Sequence, residues 1–206
     1  MARPEQRPLV VGIAGGTASG KSTVADALSE TLGDDALLLA QDRYYHSVSP
    51  DSPDLYAHNF DHPSAVDLDQ LARDLAAFRT GAAIRVPDYV FATHQRTPED
   101  TWEWLQPHPV LVLEGLFVLG HEAVRAQLDH AIYVHAPDDL RLLRRIRRDL
   151  DERGRHLDEV LEQWERTVSP SHHLHIAPSR VRADLVLDGT APLPSLVASV
   201  MRLIAR

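Results

Sequence analysis

The chain alternates short apolar runs with stretches in which apolar residues recur every three or four positions. The apolar runs predict strands at residues 9–14, 36–40, 110–115, 131–135 and 185–187. Solid runs of this length are typical of strands that are buried on both faces. Because helical patterns separate them, the order predicts a three-layer α/β fold with a five-stranded parallel sheet between helices.

Helical periodicity is clearest in residues 68–78, where four apolar side chains share one face. Asp67 precedes this stretch as a candidate N-cap, and Gly81 follows it as a candidate stop signal. Comparable patterns predict further helices at residues 23–32, 122–128 and 193–204.

Apolar residues alternate with polar ones in residues 83–91 and 101–105. We expect two short strands there that project from the main sheet as a β-hairpin within residues 83–105. Trp102 and Trp104 stand two apart, so they would share one face of the second strand. Packing is favoured over ligand stacking for both, because burying aromatic surface is their commonest use.

Between the first strand and the first helix lies a segment with the pattern G-x-x-x-x-G-K-[ST]. Its residues, followed by one more at the helix start, are Gly15, Gly16, Thr17, Ala18, Ser19, Gly20, Lys21, Ser22 and Thr23. In such a loop, backbone N–H groups surround a phosphate, the lysine reaches the outer phosphates and the hydroxyl ligates Mg²⁺. A chance match is expected in roughly one chain in a hundred of this length, or fewer. The sequence therefore predicts a phosphate-binding loop (P-loop).

Lys21 is the only lysine among the 21 basic residues, and the other 20 are arginines. An ammonium group is a compact point charge that suits a tight loop around phosphate oxygens, whereas a guanidinium group is a planar fork. This bias supports a specific role for Lys21.

Composition limits the class of protein. The 206 residues are 44% hydrophobic and 25% charged, which predicts one domain with a substantial core. The lack of cysteine excludes thiol catalysis and disulfides and favours the cytoplasm. A net charge of −9 argues against broad binding to nucleic acid or anionic membranes, and no apolar run approaches a membrane span of about 20 residues. Residues 1–8 are expected to form a frayed tail.

Two acidic residues follow predicted strands. Asp42 comes after the second strand and Glu114 ends the third. Ligands bind at the carboxyl ends of parallel strands, where the P-loop also opens. We therefore expect both carboxylates to face the nucleotide, with Glu114 holding Mg²⁺ directly or through water. The polar loop at residues 46–63 is expected to be a binding element or lid.

Arginines crowd residues 138–155. On a helix, a stripe is formed by Arg141, Arg145 and Arg148, and it is flanked by Arg144 and Arg147. A packed apolar face is expected from Leu142, Leu143 and Ile146. Solvated ion pairs with nearby acids are favoured for Arg141 and Arg147, and anion binding for the other arginines. Arg153 and Arg155 flank a glycine at the helix end, which suits a lid that closes over phosphates.

Histidines are also abundant, with twelve in the chain. His172, His173 and His175 lie close together, but no acid or further histidine stands at a reliable ligand spacing. A metal site there has odds of roughly one in ten.

Seven blocks carry a family resemblance when read in this order: GIAGGTASGKST, QDRYY, NFDHPSAVD, VPDYVFATHQR, LVLEGL, RLLRRIRRDLDERGR and SRVRADLVL. Together they resemble the uridine kinases, a family of pyrimidine ribonucleoside kinases, over nearly the whole chain. The NFDHP and ERGR blocks at these separations are specific to that family and its relative phosphoribulokinase. Chain length and the aromatic and histidine-containing hairpin favour the nucleoside kinase.

The resemblance implies a kinase that transfers the γ-phosphoryl group of ATP to the 5′-hydroxyl of uridine or cytidine, with Mg²⁺ as cofactor. By resemblance, Asp42 would be the catalytic base and a neighbour of the metal, and Glu114 would be a second acid there beside Ser22. Asp61 and Arg145 would hold the ribose 2′- and 3′-hydroxyls.

The resemblance also implies roles for the hairpin and the lid. Three side chains would surround the pyrimidine and a fourth would lie near the nucleoside: Tyr89, Phe91, His94 and Gln163. Arg148, Arg153 and Arg155 would contact the ATP phosphates, so Arg148 joins Asp42 and Lys21 as a catalytic group. The family is typically a homotetramer inhibited by pyrimidine triphosphates, which implies a homo-oligomer.

The chain departs from the family pattern at Val90, where many relatives have Asp, and at Ala177, where they usually have Glu. Neither position carries the chemistry above. Two other functions stay open: another small-molecule P-loop kinase, acting on a sugar phosphate or pantothenate, and a nucleotide-binding regulatory module without turnover. The set of Lys21, Ser22 and both strand-end acids argues against the second.

Overall fold

The computed structural model describes residues 7–48 and 58–205, and within them nine strands form three sheets. The strands are β1 (Leu9–Gly15), β2 (Ala36–Ala40), β3 (Ile84–Val86), β4 (Tyr89–Val90), β5 (Gln95–Arg96), β6 (Glu103–Leu105), β7 (Val110–Gly115), β8 (His130–His135) and β9 (Leu185–Asp188). Five of them make a parallel sheet in the order β2-β7-β1-β8-β9. The predicted five-stranded parallel sheet is therefore confirmed.

Seven α-helices lie in the described residues. They are α1 (Lys21–Leu32), α2 (Leu68–Arg79), α3 (Glu122–Arg125), α4 (Asp138–Asp151), α5 (Leu157–Gln163), α6 (Ser169–Ser171) and α7 (Leu193–Ile204). Asp67 caps α2 as predicted, because its side chain accepts a 3.0 Å hydrogen bond from the Gln70 amide. The predicted helix at residues 122–128 is only one turn long.

Two apolar clusters cover the two faces of the parallel sheet. Side chains alternate along each strand, so Val11 and Ile13 of β1 pack with Leu28 of α1 and Val200 of α7. Val10 of β1 faces the other side, in the cluster that contains the apolar stripe of α2. Each fully buried side chain of this size contributes about 1.5–3 kcal/mol. The three-layer arrangement follows from burial on both faces.

A helical run that the apolar pattern did not predict extends from α5 to Arg182. It combines short α-helical turns with π-helical turns at Trp164–Val168 and His172–Ile176 and ends in a 3₁₀-helix. Pro170 and Pro178 lie within it and lack the backbone donor that a regular α-helix uses. Because these turns do not repeat every 3.6 residues, the run leaves no regular apolar period in the sequence.

Residues 83–105 form four short strands in place of the two that the alternation predicts. β3 pairs with β6, and β4 pairs with β5, both antiparallel. Pro87 separates β3 from β4, since proline cannot donate to a ladder. The prediction that Trp104 packs in the interior is wrong, because its side chain is 61% exposed. Trp102 lies just before β6 and donates its indole N–H to the Thr97 carbonyl.

The buried face of α4 is opposite in character to the predicted one. Arg141, Arg145 and Asp149 are buried, whereas Leu143 is 53% exposed. The prediction of a solvated Arg141 is therefore wrong. Leu142 and Ile146, from the predicted apolar face, are only partly buried.

Two sequence predictions fall partly outside the described residues. Residues 1–6 of the expected frayed tail are one, and residues 49–57 of the loop predicted at 46–63 are the other.

Candidate active site

The P-loop joins β1 to α1 at the carboxyl edge of the parallel sheet. Gly20 and Ala18 adopt left-handed backbone angles, with φ of 100° and 58°, which a glycine adopts without strain and an alanine rarely adopts. The Ser19 amide closes the turn by donating to the Gly16 carbonyl at 3.1 Å. The backbone is therefore bent around the N-terminus of α1, as a phosphate site requires.

Arginines of α4 support this loop from behind. Arg141 donates to the Thr17 carbonyl at 3.4 Å, and Arg144 donates to the carbonyls of Ser19 and Gly189 at 3.4 and 3.0 Å. The contacts of Arg144 do not support the predicted anion binding, because its guanidinium group donates to backbone carbonyl oxygens. Both arginines bind the loop where sequence reasoning expected solvent or ligand.

Lys21, Ser22 and Glu114 meet at the end of β7. The Ser22 hydroxyl donates to Glu114 Oε2 at 3.2 Å, and Lys21 Nζ lies 3.6 Å from the same oxygen. Asp42 lies in the 3₁₀-turn Gln41–Tyr44 that follows β2, the strand next to β7. The two predicted acids and the end of the P-loop are thus brought to one edge.

Asp42 is in an unusual electrostatic position. Burial and, to a lesser extent, the Glu114 charge raise its pKa to about 6, against the opposing charge of Lys21. Arg153 and Asp61 also act on this carboxylate. Asp42 is therefore close enough to the P-loop, the lid and Asp61 for the charges of all three to act on it.

Asp42, Ser22 and Glu114 fit an Mg²⁺ ion that arrives with a nucleotide. The Glu114 charge disfavours the ionised form of Asp42, and a divalent cation shared by the two carboxylates would relieve that repulsion. Carboxylate and hydroxyl oxygens are hard donors of the kind that Mg²⁺ prefers, with water and phosphate oxygens completing its shell.

A group of aromatic side chains, which we call the aromatic pocket, lies near enough to Asp42 for its charge to act on Tyr45 and Tyr89. Tyr45 is its centre, with ring centroids 5.3 Å from Tyr89, 6.3 Å from Phe91 and 6.0 Å from Phe60. Tyr45 and Phe60 are pocket residues that sequence reasoning missed, although they lie in the QDRYY and NFDHP blocks. Burial and the Asp42 charge raise the pKa of Tyr89 to about 12, so its hydroxyl stays protonated.

His94 lines the same pocket. Its ring stacks on Phe60 at 4.9 Å with an interplanar angle of 25°, and its backbone φ is 54°. Among the described residues, its Nδ1 is buried without a hydrogen-bond partner, and burial lowers the pKa of the ring. A neutral imidazole with an unused nitrogen can donate to or accept from a ligand, depending on its tautomer.

Arg96 of β5 anchors the hairpin to this pocket. It donates to the Tyr44 carbonyl at 2.6 Å, to the Tyr45 carbonyl at 3.1 Å and to the Gln70 side chain at 3.1 Å. Sequence reasoning gave Arg96 no role. The hairpin position relative to the sheet depends on these contacts.

Asp61 and Arg145 are both buried beside the P-loop. Burial raises the pKa of Asp61, and the Arg145 charge lowers it. Arg145 donates to the Thr17 hydroxyl at 3.2 Å and to Gln163 Oε1 at 2.7 Å. The Asp61 amide donates to the Asn59 side chain at 3.0 Å, which fixes the loop that carries the carboxylate.

The lid arginines gather at the end of α4. Arg148 and Arg155 contact Asp149, and Arg155 also donates to Gln163 Oε1 at 2.6 Å. Arg153 lies over the Phe91 ring at 6.0 Å, which brings the lid against the aromatic pocket. The arginines predicted to bind phosphates therefore share one cluster with Arg145 and Gln163.

The three neighbouring histidines do not form a cluster of metal ligands. His172 is buried against the P-loop, where a Cβ at Gly16 would lie 2.8 Å from its ring. His175 packs edge-on against His62, and His173 contacts Asp138 at the surface. In the part of the chain that the structure describes, no group of three or more His, Asp or Glu residues could hold a metal ion.

Two positions that depart from the family pattern lie away from these contacts. Val90 is an exposed residue of β4, and Ala177 begins the 3₁₀-helix after the second π-turn.

Across the described ranges, no helix has the length and apolar character needed to span a membrane.

Comparison with known proteins identifies the family. The sequence model of the phosphoribulokinase/uridine kinase family matches residues 10–192. A uridine kinase from Ligilactobacillus salivarius is 38% identical over 91% of this chain and 88% of its own length, and one from Halobacterium salinarum is 40% identical over 86% and 78%. The structure of a possible uridine kinase from Bacillus stearothermophilus has a TM-score of 0.64 over 91% of this chain and 92% of its own, at 18% identity. The chain therefore belongs to the phosphoribulokinase/uridine kinase family.

Proposed function

We propose that this protein is an ATP-dependent kinase that phosphorylates the 5′-hydroxyl of uridine and cytidine, giving UMP and CMP. The observation that carries the proposal is the position of Asp42. Its charge interacts with Lys21 and Glu114 on the P-loop side and with Asp61, Tyr45 and Tyr89 on the side of the aromatic pocket. A carboxylate between a phosphate site and a pocket for a flat ring is placed to act on a hydroxyl that joins the two.

The mechanism we propose relies on alignment and charge. Phosphoryl transfer has a loose transition state, so a kinase mainly orients the two substrates and stabilises charge on the moving group. Asp42 orients the 5′-hydroxyl and accepts its proton late, which does not demand a strongly raised pKa. Ser22, Asp42 and Glu114 would hold Mg²⁺, which, when bound, neutralises charge on the phosphate oxygens.

The P-loop and the lid supply the other positive charges. Lys21 contacts the outer phosphates, and the P-loop amides hold the β-phosphate. Arg148, Arg153 and Arg155 cover the phosphates from the lid and exclude water during transfer. Their position beside Phe91 and Gln163 favours a closed site in which both substrates are held together.

Selection of the nucleoside is assigned to the aromatic pocket and to the buried residues Asp61 and Arg145. Tyr89 and Phe91 enclose a single pyrimidine ring, and His94 pairs with position 4 of the base through either tautomer. Asp61 and Arg145 hold the two ribose hydroxyls. Their burial makes an unpaired hydroxyl partner costly, so a ribonucleoside is preferred over a deoxynucleoside.

The cellular setting follows from the reaction. Conversion of free pyrimidine nucleosides to monophosphates with ATP is a salvage step, and we place it in the cytoplasm, where the cofactor and both substrates occur. Membership of the family supports a homo-oligomeric assembly, with a tetramer as our proposal. Native mass spectrometry of the full chain measures the assembly directly.

The test is a coupled assay of ADP release over a panel of acceptors. The panel contains uridine, cytidine, adenosine, ribulose 5-phosphate and pantothenate, and Lys21→Ala serves as the background control. We expect turnover with uridine and cytidine alone. Turnover with ribulose 5-phosphate or pantothenate instead would identify another small-molecule kinase, and no turnover with any acceptor despite ATP binding would identify a regulatory module.

A further inference from the structure

A single buried carboxylate organises the arginines of the lid. Asp149, on the buried face of α4, has no exposed side-chain surface. Four guanidinium groups surround it at 2.7 to 3.7 Å: those of Arg145, Arg148, Arg153 and Arg155. Sequence reasoning treated the acids near these arginines, of which Asp149 is one, only as partners in solvated ion pairs.

The cluster has more positive than negative charge. Four guanidinium groups share one carboxylate, so three positive charges remain uncompensated among these five residues. Burial lowers the pKa of Arg145 and of Arg153, and the neighbouring arginines lower both further. Such an array is held together by Asp149 and still has the charge to bind the phosphates of a nucleotide.

Chain geometry explains why Asp149 can reach all four arginines. Arg145 lies one turn before it on the same face of α4, and Arg148 is its neighbour. After the helix ends, Gly154 turns the chain with φ of 61°, and the Arg155 amide returns to donate to the Asp149 carbonyl at 3.0 Å. The chain reversal thus brings the lid arginines that follow α4 back against Asp149, near the C-terminus of the helix.

Asp149 also connects the two substrate sides. Its Oδ2 lies 3.4 Å from Arg145 Nε and 3.5 Å from Arg155 Nη1, and both arginines donate to the same oxygen of Gln163. Arg145 is assigned to the ribose and Arg155 to the ATP phosphates. Both therefore have their positions set by the same two side chains, the Asp149 carboxylate and the Gln163 amide.

We propose that Asp149 is a positioning residue, which holds the lid arginines in the arrangement that stabilises the transferring phosphoryl group. The inference rests on the proposed function, because it assigns those arginines to ATP. Without the carboxylate, the four guanidinium groups repel one another and the lid loses its geometry, whereas the local charge available to an anion increases. The chemical step should therefore suffer more than ATP binding.

The experiment compares Asp149→Asn with Asp151→Asn, which removes the same charge at an exposed position two residues along α4. We expect Asp149→Asn to lower kcat by about 10–100-fold per folded molecule. We expect the Kd of a non-hydrolysable ATP analogue to change by less than about threefold, and Asp151→Asn to match the wild type. Asp149→Glu, which keeps the charge on a longer side chain, should recover part of kcat.

Other results overturn the proposal. A kcat for Asp149→Asn within threefold of the Asp151→Asn value would do so, as would a loss confined to ATP affinity. Failure of both Asp149 variants to fold would assign the residue to stability alone. The wild-type assay separates this inference from the proposed function: if the wild type phosphorylates an acceptor other than a nucleoside, the same ratio of kcat values is measured with that acceptor.

Discussion

The Ser22 hydroxyl donates a 3.2 Å hydrogen bond to Glu114, so the last residue of the P-loop motif is tied to the end of β7. Lys21 approaches the same carboxylate oxygen at 3.6 Å. Glu114 therefore holds together two groups that have phosphate-directed roles in the proposed mechanism. Binding of a nucleotide with its cation would exchange these contacts for contacts of Ser22 and Glu114 with the cation and of Lys21 with phosphate oxygens.

Replacement of Glu114 by glutamine should raise the Mg²⁺ requirement. Glutamine can still accept from Ser22, but it lacks the charge that favours a divalent cation. At saturating ATP, we expect the Mg²⁺ concentration for half-maximal activity to rise about tenfold or more. Glu122→Gln, at an exposed position of α3, is the control. An unchanged Mg²⁺ titration would remove Glu114 from the metal site.

Asp42→Asn should preserve the fold and ATP affinity but lower kcat by roughly 10²–10⁴-fold, the usual contribution of a general base. The amide keeps the size of the side chain and cannot accept the proton of the 5′-hydroxyl. Steady-state kinetics with uridine, together with analogue binding, separate these effects. Asp34→Asn is an exposed control, and near-wild-type turnover in Asp42→Asn would exclude the residue as the base.

Nucleoside choice should depend on His94 and Asp61. We expect deoxycytidine to be roughly 10–100-fold poorer than cytidine in kcat/KM, because a buried hydroxyl partner is left unpaired at a cost of ~1–3 kcal/mol. His94→Ala should lower kcat/KM for uridine and cytidine, since both use its ring nitrogens. Equal values for deoxycytidine and cytidine would contradict the ribose role of Asp61, and unchanged values in His94→Ala would show that His94 does not contact the base.

Gly189→Ala should weaken ATP binding, although Gly189 lies outside the P-loop. A Cβ there would lie 2.3 Å from the Ser19 carbonyl oxygen and 3.0 Å from that of His135, so the backbone of the P-loop must shift. We expect the KM for ATP to rise about tenfold, by loss of aligned phosphate contacts. In the control Gly120→Ala, the nearest atoms are 3.5 Å away. Identical ATP kinetics in the two variants would contradict the prediction.

Stability should fall at acidic pH because of His172. Burial and the Arg141 charge together lower its pKa to about 4, while the Asp138 charge opposes them. The unfolded chain, with an ordinary histidine pKa of about 6.5, binds the additional proton between these values. The stability due to neutral His172 is therefore complete above pH ~6.5 and is lost as the pH falls towards ~4.

Urea unfolding at pH 5 and pH 7.5 measures this effect. We expect His172→Gln to reduce the stability difference between the two pH values by roughly 1–2 kcal/mol, after allowance for solvent screening. His46→Gln, at an exposed position, should leave the difference as in the wild type. The same pH dependence in His172→Gln and wild type would mean that His172 is not held neutral in the fold.

Local sequence determined the parallel sheet and the P-loop. A strand buried on both faces needs a solid apolar run, so β7 could be located to the residue from its own composition. The P-loop depends on glycines and a lysine at fixed spacing, which is also a local property. Strand ends then placed Asp42 and Glu114 at one edge before any tertiary contact was known.

Only the tertiary structure decided which face of α4 is buried. Arg141 is enclosed because the Thr17 carbonyl and the Asp138 carboxylate accept from its two Nη atoms and the Trp164 ring lies 5.1 Å from its guanidinium group. Partners brought from distant parts of the chain leave no periodic signal, so the apolar pattern of α4 pointed to the wrong face.

The aromatic pocket and the lid cluster have the same origin. Tyr45 and Phe60 come from different loops and are joined by a hydrogen bond from the Tyr45 hydroxyl to the Phe60 carbonyl, while Arg96 docks the hairpin against the turn after β2. Asp149 gathers arginines that lie up to six positions away only because the chain reverses at Gly154. Sequence alone determined which chemical groups are present, and long-range packing decided which of them share a site, since burial and desolvation depend on every neighbour at once.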